Sequence, residues 1–355
     1  MKVTKDLIDE RHLNHLLEHH YHIRLIAASP ISRSIKVKTE QGEFLLKRLR
    51  PEGEKRWSLL REIAEYCSKK KRKQYIPIPV PTKKGQISFA AMHGKYILLP
   101  WINGDPISFT RSKDWRRTAR ALAEMHQGTG GFVPSRTGRA FDHIGNWSLI
   151  WTNLYEQIDE YDVSSSADPI DQAWKRQRSY TAGMLETSLK YLEKVGGDAL
   201  CQELRREGAV CHGNIRTRHV LRDEDKRIHF LSWDQAVLDI RCRDIAHLLN
   251  YAFRKTGNSE IISTVLHGYQ QVTPLKEPEY ALIYTRLLFP DSMIRRVDQV
   301  YRQRQFSPQQ AVKRFASSAR KEEVKTKLLK EFPCIVKKEF AITIPEVDWL
   351  FSNRA

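Results

Sequence analysis

The chain has 355 residues, 41% of them apolar and 29% charged, and its 60 basic and 42 acidic residues give a formal net charge of +18. This size suffices for two lobes with a real core, and no apolar run approaches the roughly 20 residues that a membrane span needs. The five cysteines form no CxxC pair, so we expect neither a disulfide framework nor a zinc ribbon. The first residues carry no secretory pattern, and we therefore expect the protein to be in a reducing compartment.

The positive charge predicts attraction to polyanions or to acidic protein surfaces. The basic residues are spread along the whole chain, and no helix-turn-helix, zinc finger or RNA-binding signature accompanies them. Nucleic acid is therefore not the partner we expect. The densest basic run, residues 69–73, is better explained as the solvated end of a helix than as a specific polyanion site.

The first hundred residues predict a small lobe that contains a sheet. Apolar periodicity, alternation and turn residues give its elements in chain order: a helix over Thr4 to Tyr21, strands over Ser34 to Lys38 and Phe44 to Leu49, a helix over Glu54 to Lys69, an extended stretch over Ile76 to Pro81, and a hairpin of Ile87 to Ala91 with Lys95 to Leu99. A turn without glycine is predicted over Ala27 to Ser32.

His15 and His19 could form a metal pair, but no nearby Cys, Asp or Glu completes it, so we predict no metal centre.

The rest of the chain predicts helices. They cover Arg116 to Gln127, Trp147 to Tyr161, Ala167 to Lys194, Tyr280 to Leu288 and Gln309 to Glu331, with a surface loop over Gly128 to Asn146. Trp147, Trp151, Tyr155 and Trp174 fall at helical spacing, which is typical of packing rather than of a ligand box.

The stretch from Val210 to Leu249 carries the candidate site. Strand-like runs at Ala209 to Cys211 and Ile228 to Trp233 flank a polar loop. Its polar residues are His212, Asn214 and His219, followed by Ser232 and Asp234. Because side chains alternate along a strand, Ser232 and Asp234 are expected to share a face.

This spacing resembles the catalytic segment of the aminoglycoside phosphotransferase and choline kinase class, in which His-Gly-Asp is followed five residues later by Asn and then by a strand with Asp-aromatic-acidic. The resemblance implies an α+β, two-lobed protein kinase-like fold. Its small β-rich N-lobe would cover residues 1–99, a hinge residues 100–106, and a larger helical C-lobe residues 107–355, with a degenerate catalytic loop at 210–236.

The departures from that pattern argue against full catalysis. Asn214 stands where a carboxylate would accept the hydroxyl proton, and an amide has no useful basicity. His219 replaces an Asn oxygen and Ser232 replaces an Asp, whereas Mg²⁺ prefers hard oxygen ligands. We therefore expect a pseudokinase with no bound cofactor, in which Asp234 alone could hold a weak residual metal site.

Further positions match the class one by one. Lys47 matches the strand Lys that contacts nucleotide phosphates, and Glu62 or Glu65 would be its helix partner. Trp101 lies in Leu98 to Pro106, which matches the adenine-binding hinge of the class, although a plain interlobe linker explains the segment better than an active nucleotide pocket does. The cofactor-binding candidates are thus Lys47, Trp101 and Asp234. Asp244 matches the Asp that holds the catalytic loop.

The order of the Lys-Arg strand, the Ile-Pro-Ile-Pro stretch, the Trp-Ile-Asn-Gly hinge and the later Leu-Phe-Pro-Asp segment resembles the CotS family of endospore coat proteins of spore-forming bacilli, over nearly the whole chain. The resemblance implies synthesis in the mother-cell cytoplasm, deposition in the endospore coat, and a structural or assembly role through other spore coat proteins. The alternatives are an atypical phosphotransferase that uses ATP and Mg²⁺ on a small-molecule or protein hydroxyl, and a nucleic-acid binder.

Overall fold

The protein is described here by a computed structural model that covers residues 9–32, 34–73, 75–91, 94–161, 166–207 and 209–351. These residues form two compact units. The first contains the chain up to Ile107 together with Phe132–Asp142 and Arg218–Ala236. The second contains Ser108–Gly131, His143–Thr217 and the chain from Val237 onwards. The chain therefore returns to the first unit twice.

In its described residues, the first unit holds two antiparallel sheets and two α-helices. In chain order its elements are α1 (Glu10–Tyr21), β1 (Leu25–Ile31), β2 (Ser34–Thr39), β3 (Gly42–Arg48), α2 (Gly53–Lys69), β4 (Phe89–Ala91), β5 (Gly94–Pro100), β6 (Asp105–Pro106), a 3-10 turn (Gly138–Phe141), β8 (Val220–Arg222) and β9 (Ile228–Phe230). One sheet has the order β1-β2-β3-β5-β4 and the other the order β6-β8-β9. The unit that contains the sheets thus also includes Phe132–Asp142 and Arg218–Ala236, which were predicted to lie in the helical lobe.

Helix α1 covers the larger sheet with one apolar face. The Asp9 carboxylate accepts a hydrogen bond from the Arg11 amide at 3.2 Å and so caps the helix start, and His22 ends the helix at a φ of 56°. Its buried face and the sheet form one core, made of Leu13, Leu16, Leu17, Tyr21, Ile23, Ile35, Val37, Leu46, Phe89, Tyr96 and Leu98. The predicted first turn at Thr4 lies outside the described residues.

Two local predictions in this unit are wrong. Residues 27–31 of the segment predicted as a turn belong to β1, because their backbone pairs with β2 in a register that places Ala28 opposite Val37. The strand predicted over 228–233 ends at Phe230, and Ser232 has a φ of 65°, in the left-handed region. Ser232 and Asp234 therefore do not alternate along a strand, and the expectation that they share its face fails.

The second unit is mainly helical. Its elements are α3 (Ser112–Thr129), α4 (Trp147–Glu160), α5 (Pro169–Lys194), α6 (Gly197–Glu203), a 3-10 turn (Leu204–Glu207), β7 (Ala209–Cys211), β10 (Val237–Asp239), α7 (Cys242–Thr256), α8 (Glu260–Gln270), α9 (Glu277–Leu288), α10 (Asp291–Val297), a π-helical turn (Asp298–Arg302), α11 (Pro308–Phe340) and α12 (Asp348–Phe351). Strands β7 and β10 pair antiparallel, with Val210 opposite Leu238.

Large aromatic side chains form much of the core of this unit. Trp147, Trp151 and Trp174 are at most 2% exposed, which confirms their predicted packing role. Gly268 of α8 lies against α3, where an added Cβ would meet the Arg116 carbonyl oxygen at 2.7 Å, so only glycine permits this approach. Within the described part of the chain, no helix combines the length and the apolar content that crossing a membrane requires.

Candidate functional site

In the first unit, strand β3 and the segment after β9 bring Lys47 and Asp234 together. The Lys47 Nζ lies 2.5 Å from Oδ2 of Asp234, and the two side chains are only 14% and 21% exposed. Burial alone would raise the pKa of the Asp234 carboxyl, but Lys47, Arg50 and Arg56 outweigh it and hold this pKa below its usual value. Asp234 is thus an ionised carboxylate whose charge is compensated by the lysine.

The α2 glutamates that were candidates for pairing with Lys47 do not pair with it. Glu62 accepts hydrogen bonds from the backbone N–H and the hydroxyl of Ser135, at 3.2 and 2.8 Å. Glu65 lies 3.6 Å from Arg61 of its own helix. That prediction is wrong because both glutamates have nearer donors, whereas Asp234 reaches the lysine.

Helix α2 supports the Asp234 segment in another way, through Arg56. The Arg56 guanidinium donates a hydrogen bond to the Ala236 carbonyl at 2.5 Å and lies 4.5 Å from the centre of the Phe141 ring. An arginine that binds both a backbone oxygen and an aromatic face holds the segment by geometry as well as by charge. Sequence reasoning missed Arg56, since a basic residue on a helix is usually a solvated one.

The predicted hinge residue Trp101 extends the sheet. Its backbone N–H donates to the Glu43 carbonyl at 3.0 Å, and its indole N–H donates to the Asn103 side-chain oxygen at 3.0 Å. Lys36 lies above its ring, 4.5 Å from the ring centre. Because that backbone N–H is already engaged, it is not free to bind an adenine.

His219 and Ser232 occupy irregular backbone in the first unit. His219 ends a short 3-10 turn (Thr217–His219), and its carbonyl accepts the Leu231 N–H at 2.8 Å. A metal-bound nucleotide would need hard oxygen ligands here, and Asp234 supplies the one carboxylate among the predicted positions of this unit. That carboxylate already balances Lys47, so these residues fit a magnesium–nucleotide complex poorly.

In the second unit, Asp244 holds the backbone of the loop that carries His212 and Asn214. One carboxylate oxygen accepts the His212 N–H at 2.5 Å, and the other accepts the Gly213 N–H at 2.8 Å. His126 Nε2 lies 3.3 Å from the same carboxylate, and His126 Nδ1 lies 2.7 Å from the Tyr269 hydroxyl. These hydrogen bonds hold the loop that carries His212 and Asn214 in place.

The charge on Asp244 is stabilised by these contacts. Burial would raise the pKa of its carboxyl, but the hydrogen bond and charge of His126, the charge of His212 and the Gly213 N–H outweigh that effect and lower the pKa to about 2. An acidic group that is fully buried, ionised and bonded to two backbone N–H groups is a structural clamp.

His126, Cys211 and Asp244 place one potential metal ligand each within 4.8 Å of one another. The Asp244 oxygens already accept three hydrogen bonds, and the Cys211 thiol donates to the Ile240 carbonyl at 3.4 Å. Burial raises the pKa of this thiol well above its usual range, which disfavours the thiolate that a metal requires. The Asp244 and Cys211 side chains are thus already engaged in hydrogen bonds, which disfavours a metal ion at this place.

Asn214 lies on the same loop, and both its backbone and its side chain form hydrogen bonds. Its backbone N–H donates to His212 Nδ1 at 3.2 Å, and its side-chain oxygen accepts a hydrogen bond from the Arg216 guanidinium. Sequence reasoning missed Arg216. The sequence signal that could have identified it is a basic residue two positions after Asn214, which replaces the expected carboxylate.

The chain is similar in sequence to spore coat proteins and to kinases. A family model described as "Spore coat putative kinase YutH" matches residues 14–332. The endospore coat-associated protein YutH of Bacillus subtilis is 27% identical over 64% of this chain and 67% of its own length, and spore coat protein S of the same organism is 19% identical over 72% and 73%. The homoserine kinase of Rhizobium etli is 23% identical, and the chain spans 58% of that enzyme.

Solved structures show the fold. An aminoglycoside phosphotransferase from Alicyclobacillus acidocaldarius superposes with a TM-score of 0.63 over 88% of this chain and 93% of that one, at 18% identity. A spectinomycin phosphotransferase superposes with a TM-score of 0.58 over 86% and 93%, also at 18% identity. The α+β kinase-like fold of the aminoglycoside phosphotransferase and choline kinase class is therefore confirmed.

Proposed function

From the premise that this chain belongs to the YutH family of spore coat proteins, we propose that it is a structural or assembly component of the bacterial endospore coat. It acts through contacts with other coat proteins and not through phosphoryl transfer. It is made in the mother-cell cytoplasm during sporulation and then deposited in the coat. Coat proteins among its relatives, YutH and spore coat protein S, support this location.

The observation that carries the proposal is the pairing of Asn214 with Arg216. A phosphotransferase of this fold needs a carboxylate where Asn214 stands, and that group typically contributes roughly 10²- to 10⁴-fold to the rate. The Asn214 side-chain oxygen is instead bound to a guanidinium. A neutral amide held in this way orients the loop but accepts no proton.

The residues at the metal positions support the same conclusion. Ser232 is a neutral hydroxyl in left-handed backbone, and His219 offers an imidazole in place of an amide oxygen. Asp234 is balanced by Lys47. A divalent ion is coordinated by several oxygens, so a single carboxylate whose charge is already balanced would bind it weakly.

The basic surface supplies the proposed means of contact. Lys69, Lys70 and Lys71 are exposed at the end of α2, and the chain as a whole carries a formal charge of +18. Complementary charge steers association and favours acidic partners over basic ones. Coat proteins with acidic surfaces are therefore the partners we propose, and nucleic acid is not.

The test compares two sets of variants in sporulating cells, with each full-length chain fused to a fluorescent protein. Replacement of Lys69, Lys70 and Lys71 together by glutamate is expected to reduce deposition in the coat. Asp234→Asn is expected to leave deposition unchanged. Loss of coat deposition in a folded Asp234→Asn protein would overturn the proposal, because coat assembly would then need the kinase-like site.

A second candidate function rests on the Lys47–Asp234 pair. An atypical phosphotransferase would move the terminal phosphoryl group of ATP to a small-molecule or protein hydroxyl, giving ADP and a phosphate ester, with the hydroxyl proton passing to water. ATP and Mg²⁺ would then be cofactors. Turnover of ATP by the purified chain that disappears in Asp234→Asn would favour this function over the first.

A further inference from the structure

We propose that the end of α2 and the loop 132–136 of the first unit form one docking surface for an extended acidic segment of a partner protein, and that this segment also carries an apolar side chain. The inference rests on the proposed coat role and names the chemistry of the coat partner. The surface is called the docking strip below, and its side chains are Lys69, Lys70, Lys71, Val133 and Arg136.

The turn that carries the lysines at the end of α2 has a fixed backbone. Lys71 takes a φ of 54°, and its N–H donates to the Ser68 carbonyl at 2.9 Å. The next N–H, that of Arg72, donates to the Cys67 carbonyl at 2.8 Å. A partner therefore has to order only the lysine side chains and not the backbone, which lowers the entropy lost on binding.

The loop packs against the same part of α2. The Phe132 ring meets the Tyr66 ring in a T-shaped contact at 5.5 Å, and the Arg72 guanidinium lies 5.4 Å from the centre of the same tyrosine ring. One turn earlier in α2, Glu62 accepts hydrogen bonds from the N–H and the hydroxyl of Ser135. Tyr66 thus joins the loop to the lysine turn.

The loop adds one apolar and one cationic side chain to the strip. Val133 directly follows the phenylalanine that contacts Tyr66, and it is 80% exposed, the largest exposed fraction among the large apolar side chains of the described residues. Arg136 directly follows Ser135 and is also exposed. Cations beside an exposed valine recognise carboxylates and an apolar side chain together.

The cations of the strip lack counter-charges. Throughout the described ranges of the chain, no ion pair or side-chain hydrogen bond engages any of its four cations, which are Lys69, Lys70, Lys71 and Arg136. The carboxylates of the same stretch of α2 are already engaged. Glu62 is bonded to Ser135, and Glu65 is paired with an arginine of its own helix at 3.6 Å. Charge complementarity therefore favours an acidic partner.

The length of the strip sets the length of the partner segment. Glu62, which lies beside the Arg136 end of the strip, and Lys71 at the other end are about 10–14 Å apart, given a helical rise of about 1.5 Å per residue. An extended chain covers that distance with about four residues, at about 3.3 Å each. The strip therefore fits a short segment in which acidic residues flank one apolar residue.

A membrane surface and nucleic acid fit the strip less well. A helix that binds a bilayer inserts its apolar face, but the apolar face of α2 is buried, with Trp57, Leu60 and Ile63 at most 1% exposed. Nucleic acid would bind the cations through its phosphates and would leave Val133 without a role. The valine is therefore the residue that discriminates between these partners.

The experiment measures the fluorescence anisotropy of two labelled peptides with the purified full chain. Both peptides are acidic, and they differ only in a central residue, which is leucine in one and serine in the other. We expect the leucine peptide to bind more tightly. Val133→Ser is expected to weaken its binding by about 5- to 10-fold, because an apolar contact is lost, and to leave the serine peptide unchanged. Lys70→Glu is expected to weaken both peptides by about 10-fold or more.

Two matched controls use exposed residues outside the strip. Val324→Ser removes a valine that is 43% exposed in α11, and Lys55→Glu reverses an exposed charge at the start of α2. Both are expected to leave binding nearly unchanged. Equal weakening by Lys55→Glu and Lys70→Glu would overturn the proposal, and so would binding of the leucine peptide that is insensitive to Val133→Ser. Binding of anionic phospholipid vesicles or of duplex DNA, with no binding of either peptide, would also overturn it.

Coat deposition of the wild-type fusion protein tests the coat role separately. If the fusion is deposited but neither peptide binds, the docking strip is wrong and the coat role stands. If the leucine peptide binds through Val133 but the fusion stays outside the coat, the docking strip stands and the coat role is wrong.

Discussion

The Lys47 ammonium and the Asp234 carboxylate of the first unit lie 2.5 Å apart, although 187 positions separate them in the chain. We expect Lys47→Met to lower the free energy of unfolding by about 1–3 kcal/mol, because it leaves a largely buried carboxylate without its charge partner. Urea denaturation measures this loss. The control is Lys36→Met on the neighbouring strand, whose pair with Glu43 is more exposed and is expected to contribute under about 1 kcal/mol. Equal losses would contradict the assignment of Lys47 and Asp234 as the dominant pair.

Asp244 predicts an acid-sensitive step in the second unit. The pKa of its carboxyl is lowered to about 2, so its contribution to stability is complete above its unfolded pKa, near 4, and is lost as the pH falls towards 2. Asp244→Ala should cost about 3–5 kcal/mol at neutral pH and should flatten the acid limb of the stability curve. Asp225→Ala, at an exposed position, is the control and should change little. An unchanged acid limb in Asp244→Ala would contradict this role.

Lys321 predicts a rise of stability at alkaline pH. Its pKa is lowered to about 8, so its charged form destabilises the fold at and below that pH, and the penalty disappears as the pH rises from 8 towards the unfolded value near 10.5. Lys321→Gln should therefore be at least as stable as the wild type at pH 7 and should lack the wild-type gain between pH 8 and about 10. Chemical denaturation at a series of pH values checks both. A parallel pH dependence in the two proteins would contradict the lowered pKa.

Asn214→Asp distinguishes the two candidate functions. We expect no measurable gain in transfer of phosphate from ATP, because Arg216 would pair with the new carboxylate and because His219 and Ser232 still occupy the metal positions. A phosphotransferase that lacked only its base should instead gain roughly 10²- to 10⁴-fold. A radiolabel transfer assay over candidate hydroxyl acceptors, with Asn214→Ala as the control, separates these outcomes.

The thermal midpoint of the full chain with ATP tests nucleotide binding directly. We expect no shift with ATP in the presence of Mg²⁺, of Mn²⁺ or of neither, beyond that produced by sodium chloride at the same ionic strength. A ligand held at about 100 times its dissociation constant would stabilise the fold by roughly 2.7 kcal/mol, which this measurement resolves. A metal-dependent shift that disappears in Asp234→Asn would favour the phosphotransferase.

The sequence by itself determined the fold class and most of the elements. Amphipathic periodicity predicted α2 and α5, alternation predicted β2 and β3, and the prolines of 76–81 excluded a helix there. It failed at β1, where the residues show no clear alternation because most of that edge strand is exposed and backbone pairing with β2 decides its conformation. It failed again at Ser232, since no local pattern predicts a left-handed φ at that serine.

The candidate positions were also readable from their order, since Lys47, Asn214, Asp234 and Asp244 stand at spacings that a familiar motif supplies. The residues that pair with these side chains could not be predicted from the sequence. Lys47 binds Asp234 rather than a glutamate of α2, and Asn214 is held by Arg216. Only the tertiary structure decided that the buried Asp244 carboxylate accepts hydrogen bonds from the backbone N–H groups of His212 and Gly213. The physical reason is that local sequence biases backbone dihedrals, whereas the partner of a charged side chain depends on which distant groups the packed core brings within a few ångströms of it.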